Sequence, residues 1–176
     1  TLNAGDTDFR NPTTPVITNL ISAIRELRNG FGSGFVLSMA PETFFVQVGF
    51  DAYGPSAGAY LPVIHGLRDI LSYIHVQHYN TGSVTALDGR AYSSATADFH
   101  VAMAEMLLAG FPVAHNANNV FPALRPDQVD RIDGQRNVGR VLAGREVDDR
   151  ADRQALEQLR VVDGGFGGAI GASHVD

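Results

Sequence analysis

Two stretches decide the fold: Phe35-Val36-Leu37-Ser38-Met39-Ala40-Pro41-Glu42 and Tyr73-Ile74-His75-Val76-Gln77-His78-Tyr79-Asn80. The first is an apolar run of strand length, Phe35 to Ala40, stopped by Pro41, which has no N–H to offer a ladder. The second is aromatic and β-branched from Tyr73 to Tyr79, the composition of a strand. Between them a loop with Gly49, Gly54, Pro55 and Gly58 leads to Tyr60, Leu61, Ile64, Leu67 and Leu71 at helical spacing. Upstream, Thr13 or Thr14 can cap a helix with Pro15 at its first position, and Ile17, Leu20, Ile21, Ile24 and Leu27 form its apolar stripe up to Gly30. Downstream, a polar turn region precedes Phe99, Ala102, Met103, Met106 and Leu107, with Gly110 and Pro112 beyond their end. The order is helix, strand, helix, strand, helix. Such alternation predicts βαβ units, hence an α/β fold with a parallel sheet.

Side chains alternate across a strand, so parity sorts the second stretch into two faces. Tyr73, His75, Gln77 and Tyr79 share one; Ile74, Val76 and His78 share the other, mostly apolar one, which should pack under helices. Gln77 and Tyr79 then lie at the C-terminal end of a parallel strand. That end is where α/β folds place ligands and chemistry. A core role with satisfied hydrogen bonds is the competing reading of the same two residues.

The chain has 176 residues, 44% hydrophobic and 18% charged, enough apolar material for one core. Cysteine is absent, which excludes disulfides, thiolate metal sites and a cysteine nucleophile. All 13 basic residues are Arg, and the net charge of −6 argues against a phosphate-backbone binder, so nucleic acid is not an expected partner. No apolar run reaches the ~20 residues of a membrane span, and the start TLNAGDTDFRNPTT has no secretory pattern. Charge divides the chain: 16 charged side chains lie in residues 1–129 and another 16 in the much shorter 130–176. The expected boundary is therefore near Val129, between an aromatic-rich first part and an Arg/Asp/Gly-rich tail of unclear structure.

Other patterns carry little chemistry. On a strand, His75 and His78 point to opposite faces, and no acidic ligand completes a set, so no metal site is expected. Asp6 and Asp8 lack the glycine and glutamate of a calcium loop and read as a solvated turn. The run GGFGG at 164–168 lacks the Lys-Ser/Thr of a phosphate loop. No cofactor is indicated.

Three runs, FGSGFVLSMAPETFFVQVG, GAYLPVIHGLRDILSYIHVQHYNTGS and ADFHVAMAEMLLAGFPV, together resemble bacterial family 18 glycoside hydrolases, the secreted chitinases of actinobacterial type. Met39-Ala40-Pro41-Glu42 ending one strand and Gln77-His78-Tyr79-Asn80 ending the next are the specific pieces, and the similarity runs from about Thr1 to Val129. The resemblance implies a segment of a (β/α)8 barrel, about strands five and six with helices four to six. It implies hydrolysis of β-1,4-linked N-acetylglucosamine polymers with the substrate's own N-acetyl group as nucleophile, an exception to the two-carboxylate scheme. It assigns Tyr79 to the N-acetyl carbonyl as that oxygen attacks, Gln77 and Asn80 to the sugar and its amide, and Met39 to the floor of the acetamide pocket. Chitin or its oligosaccharides would be the partner, outside the cell.

The departures shape the expectation further. The family's acid, the Glu of a DxxDxDxE motif ending its fourth strand, is not in this sequence, and neither is the family's late tryptophan. The chain is expected to start just downstream of its own acid. After Arg125–Val129 the sequence DRIDGQRNVGRVLAGREVDDRADRQ resembles neither the family's next strand nor its helix, which suggests a frameshift or an unrelated fusion. A whole barrel needs about 200–250 residues. The expectation is therefore a chitinase-like segment inactive by itself, with a non-catalytic chitin-binding module or functionless remnant as the alternative; Phe44, Phe45, Phe50 and Tyr53 would be the module's stacking aromatics. Glu42 and Glu105 are not expected to replace the acid. Open sheet edges would favour self-association.

Overall fold

A computed structural model describes residues 8–129. The charged tail, GGFGG and Asp6 lie outside them. Helix α1, Pro15–Phe31, opens where Thr14 is still extended, and Pro15 takes the first helical position, where a missing N–H is no loss. The Thr14 carbonyl accepts from the N–H groups of Ile17 and Thr18 at 3.0 and 3.1 Å. The helix passes the expected stop at Gly30 and ends at Gly32, whose φ of 70° lets its N–H turn back to the Arg28 carbonyl. Its inner face buries Ile17 and leans Leu20, Ile21 and Ile24 on the core, while Leu27 stays exposed. Arg25 fastens α1 to the next helix, gripping Asp69 at 2.7 and 3.1 Å and the Gly66 carbonyl at 2.6 Å. That grip holds the Asp69 carboxyl below its ordinary pKa.

Strands β1, Ser38–Met39, and β2, Tyr73–Ile74, pair in parallel, Ser38 against Tyr73 and Met39 against Ile74. Helix α2, Leu61–Leu67, connects them. The pairing is shorter than the expected runs of 35–40 and 73–79, although it resumes once as a parallel bridge between Glu42 and Gln77. Pro41 is the reason. It supplies a carbonyl to Gln77 N–H at 2.8 Å but has no N–H to return, and the chain then coils into 3₁₀ turns at Thr43–Phe45 and Gln47–Phe50. On the other side of β2, Ile74 bridges Val129 in parallel and donates to the Gln128 carbonyl at 2.6 Å. The parallel order is thus Met39, Ile74, Val129, a position that the sequence did not suggest.

Three further pieces complete the fold. β3, Val84–Thr85, and β4, Ala91–Tyr92, form a hairpin whose turn uses Gly89 at φ 77°. Helix α3, Ala97–Ala109, starts at Thr96, whose hydroxyl accepts the Phe99 N–H at 3.2 Å. It buries Phe99, Met103, Met106 and Leu107 in the central cluster with Leu61, Ile64, Leu67, Ile74 and Val76. β5, Phe111–Pro112, then pairs antiparallel with β6, Val120–Phe121. Gln128 ties the end of the described chain to α2: its amide nitrogen donates to the Arg68 and Leu71 carbonyls at 2.7 and 2.9 Å. Among the described residues no helix is long and apolar enough to cross a membrane.

Between α3 and β5, Gly110 sits at φ 76°, where a Cβ would meet the Phe121 carbonyl oxygen at 2.5 Å and the Ala123 nitrogen at 2.9 Å. Backbone cannot swing aside as a side-chain tip can. Gly110→Ala is expected to cost roughly 1–3 kcal/mol from the backbone conformation alone, with the clash added to it. A urea midpoint unchanged from the parent chain would contradict this.

Candidate functional site: the carboxyl ends of the parallel strands

Burial follows the parity of the second stretch. Ile74 and Val76 are buried, His78 is partly buried, and Tyr73, His75 and Tyr79 are exposed with Gln77 between. The same alternation runs along the first stretch, where Leu37 and Met39 are buried and Val36, Ser38 and Ala40 face out. One open face therefore carries Gln77 and Tyr79. Asn80, also exposed, follows them directly.

A chain of hydrogen bonds fixes this strand end. Gln77 Nε2 donates to the Ala40 carbonyl at 2.6 Å, which crosses from β2's line to β1's. The amide thereby leaves Oε1 as its acceptor, and Tyr79 Oη donates to it at 3.1 Å. From behind, the Thr43 hydroxyl donates to the Gln77 main-chain carbonyl at 3.2 Å, and Thr43 is wholly buried. Tyr79 keeps 78% of its surface exposed, so its phenol is tethered by Gln77 while its oxygen stays within reach of a ligand. Glu42, opposite Gln77 in the bridge, shares this face.

Met39 is placed elsewhere. Its side chain, 8% exposed, belongs to the buried cluster, because the register sets it beside Ile74 on the helix-covered side. A floor position on Gln77's face would need the opposite parity. His78 also turns inward, to α3: its Nδ1 lies 3.0 Å from Nδ1 of His100 and its ring stands edge-on to Phe99 at 5.7 Å. Burial, with the charges of His100 and His75, pushes His78 down to about 4. His75 and His78 thus part company, and no group of three or more His, Asp or Glu among the described residues could hold a metal ion. Asp8 accepts from the Arg10 N–H at 3.0 Å and from the Asn11 amide at 2.9 Å, the bonding of a turn. Of the aromatics considered for stacking, Phe50 is 7% exposed and Phe44 meets Phe45 edge-on, an arrangement of packing and not of a flat platform.

Comparison with known proteins gives this geometry its context. No family model matches the chain. Chitinase D of Niallia circulans is 61% identical over 128 residues, which cover 73% of this chain and 24% of that protein. Chitinase Chi52 of Paenibacillus xylanexedens is 60% identical over 128 residues, with the same two shares. The sequence similarity is to chitinases. Exochitinase 1 of Streptomyces olivaceoviridis, 60% identical over 136 residues, is matched over 73% of this chain and 23% of its own length. Among solved structures, a family GH18 chitinase from Chromobacterium violaceum superimposes with a TM-score of 0.64 at 49% identity, over 66% of this chain and 32% of that one. The C-terminal domain of Legionella pneumophila ChiA gives 0.60 at 26% identity, over 73% and 39%. The chain spans about a quarter of the length of the curated relatives it matches.

Sequence reading did not anticipate Thr43 or His100. Neither carries a motif signal; each is brought in by tertiary contact. Thr43→Val keeps the volume but removes the donor to the Gln77 carbonyl, and should lower stability by about 1 kcal/mol. Faster amide exchange confined to the strand end around Gln77 is the accompanying readout.

Proposed function

We propose that this chain contributes the Tyr79, Gln77 and Asn80 part of a site that hydrolyses β-1,4-linked N-acetylglucosamine polymers, acting outside the cell, and that by itself it does not turn over chitin. The observation that carries this reading is the Ala40–Gln77–Tyr79 hydrogen-bond chain at the open carboxyl end of β2. The similarity to chitinases supports the substrate class. In this reading β1 and β2 correspond to the fifth and sixth strands of a barrel, residues 1–129 form one unit, and the acid of a DxxDxDxE motif comes from outside this sequence.

Each residue then has a task that its geometry suits. Tyr79 donates a hydrogen bond to Gln77 Oε1 when no sugar is bound. When an N-acetyl oxygen arrives, it displaces Gln77 Oε1 as acceptor, and the phenol O–H holds that oxygen in line for attack on the anomeric carbon. Gln77 cannot rotate away freely, because Ala40 holds its other end; its freed Oε1 becomes an acceptor for the sugar or its amide N–H. Asn80, exposed beside them, supplies a donor and an acceptor to the same sugar. Met39, 8% exposed, supports the strand end from the buried side.

Two measurements test the proposal. Chitooligosaccharides titrated into the chain should shift the amide resonances of Gln77, Tyr79 and Asn80 and release no new reducing ends. Joined behind a barrel half that carries DxxDxDxE, and with a normal final strand and helix in place of 130–176, residues 1–129 should support hydrolysis with retention at the anomeric carbon. In that chimera Tyr79→Phe should lower kcat about 10²-fold with little change in KM, since the hydrogen bond positions the attacking oxygen. An unchanged kcat in a folded Tyr79→Phe chimera would overturn the assignment.

A further inference from the structure

His78 lies between Gln77 and Tyr79 in sequence but faces the other way, and its surroundings are unusual. Its Nδ1 is 3.0 Å from Nδ1 of His100, the two rings tilted at 52° with centroids 5.1 Å apart. Its Nε2 is shut off from solvent with no partner, while Nε2 of His100 is not buried in this way. A 3.0 Å separation between two ring nitrogens requires one proton between them. If His100 held that proton, a neutral His78 would carry its own on Nε2, burying an N–H with nothing to accept it. If His78 holds it on Nδ1, His100 carries its proton on Nε2 and no N–H is stranded. The second arrangement leaves a bare lone pair, not an N–H, at the buried Nε2.

We propose that His78, as the Nδ1–H tautomer, and His100 form a clamp that holds α3 against the strand end bearing Gln77 and Tyr79, and that the clamp opens when the pair takes up an additional proton. That proton has no good place. On His100 Nδ1 it would face the N–H of His78, and on His78 Nε2 it would be a buried cationic donor without an acceptor. The groups acting on His78 by charge are His100 from α3 and His75 from its own strand, both of which oppose a further positive charge. Phe99, the other α3 residue against the ring, offers only an aromatic surface. Unfolded, His78 would titrate near 6.5. The folded chain resists the proton down to about 4, so this contribution to stability is complete above pH 6.5 and is lost as pH falls from there to about 4. The clamp requires no sugar and stands apart from the reading of Tyr79.

Ring-nitrogen NMR of the intact chain tests it directly. Near neutral pH, His78 should show the Nδ1–H tautomer and His100 the Nε2–H tautomer. On acidification His78 should gain its second proton below the ordinary histidine range, and the amides of Gln77 and His100, now bonded to Pro41 and Thr96 carbonyls, should lose exchange protection with it. His100→Phe keeps a ring beside Phe99 but removes the acceptor; protection at Gln77 should then be low already at neutral pH and no longer follow acidification. If that variant fails to fold, the tautomers of the unaltered chain still decide. Protons on Nε2 of both rings, or titration of His78 near 6.5, or Gln77 protection indifferent to that titration, would each overturn the clamp.

Discussion

The register of one parallel pair, Met39 against Ile74, governs everything the strand ends can do. In a parallel ladder, paired residues share a face, so this match sends Met39, Ile74, Val76 and His78 to the helices and leaves Gln77 and Tyr79 in the open. The hydrophobic demand of α2 and α3 enforces it: Ile64, Leu67, Met103 and Met106 need apolar partners, and Ile74 and Val76 are the ones available. A slip by one residue would bury Gln77 and expose Ile74. The candidate site is thus held in place by packing on the side away from it.

The two faces nevertheless communicate. Consecutive residues 77, 78 and 79 alternate between the open surface and α3, so whatever moves His78 must move its neighbours. Thr43 adds a second hold by gripping the main chain at Gln77. Polar contacts of this kind, side chain to backbone across elements, give a strand end of only a few ladder bonds the rigidity that longer strands obtain from pairing alone.

What the sequence disclosed follows the strength of each local signal. α1 was legible because Pro15 and the stripe from Ile17 to Ile24 reinforce one another, though its end moved to the glycine that adopts φ 70°. Parity was legible because it needs only a strand direction. Strand length was not, since Pro41 and the turns after it shorten a pairing that composition would extend. α2 shrank from the expected run to Leu71 for a comparable reason: Ile70 and Leu71 both donate to the Leu67 carbonyl as the helix ends. The β3–β4 hairpin could have been read from Asp88-Gly89 between its short strands. Val129's place beside Ile74 and the meeting of His78 with His100 depend on contacts far apart in the chain, which no local pattern carries.

The Gln77 amide occupies a junction where both of its ends are engaged, giving to Ala40 and receiving from Tyr79. A glutamate there would match it in shape and could still receive, but as a carboxylate it would set negative charge against the Ala40 carbonyl. A single base change in a glutamine codon yields a glutamate codon, so mutation must offer this replacement often. The junction thus depends on one nitrogen atom, and the substitution that size and shape would rank as the most harmless is the one that removes it.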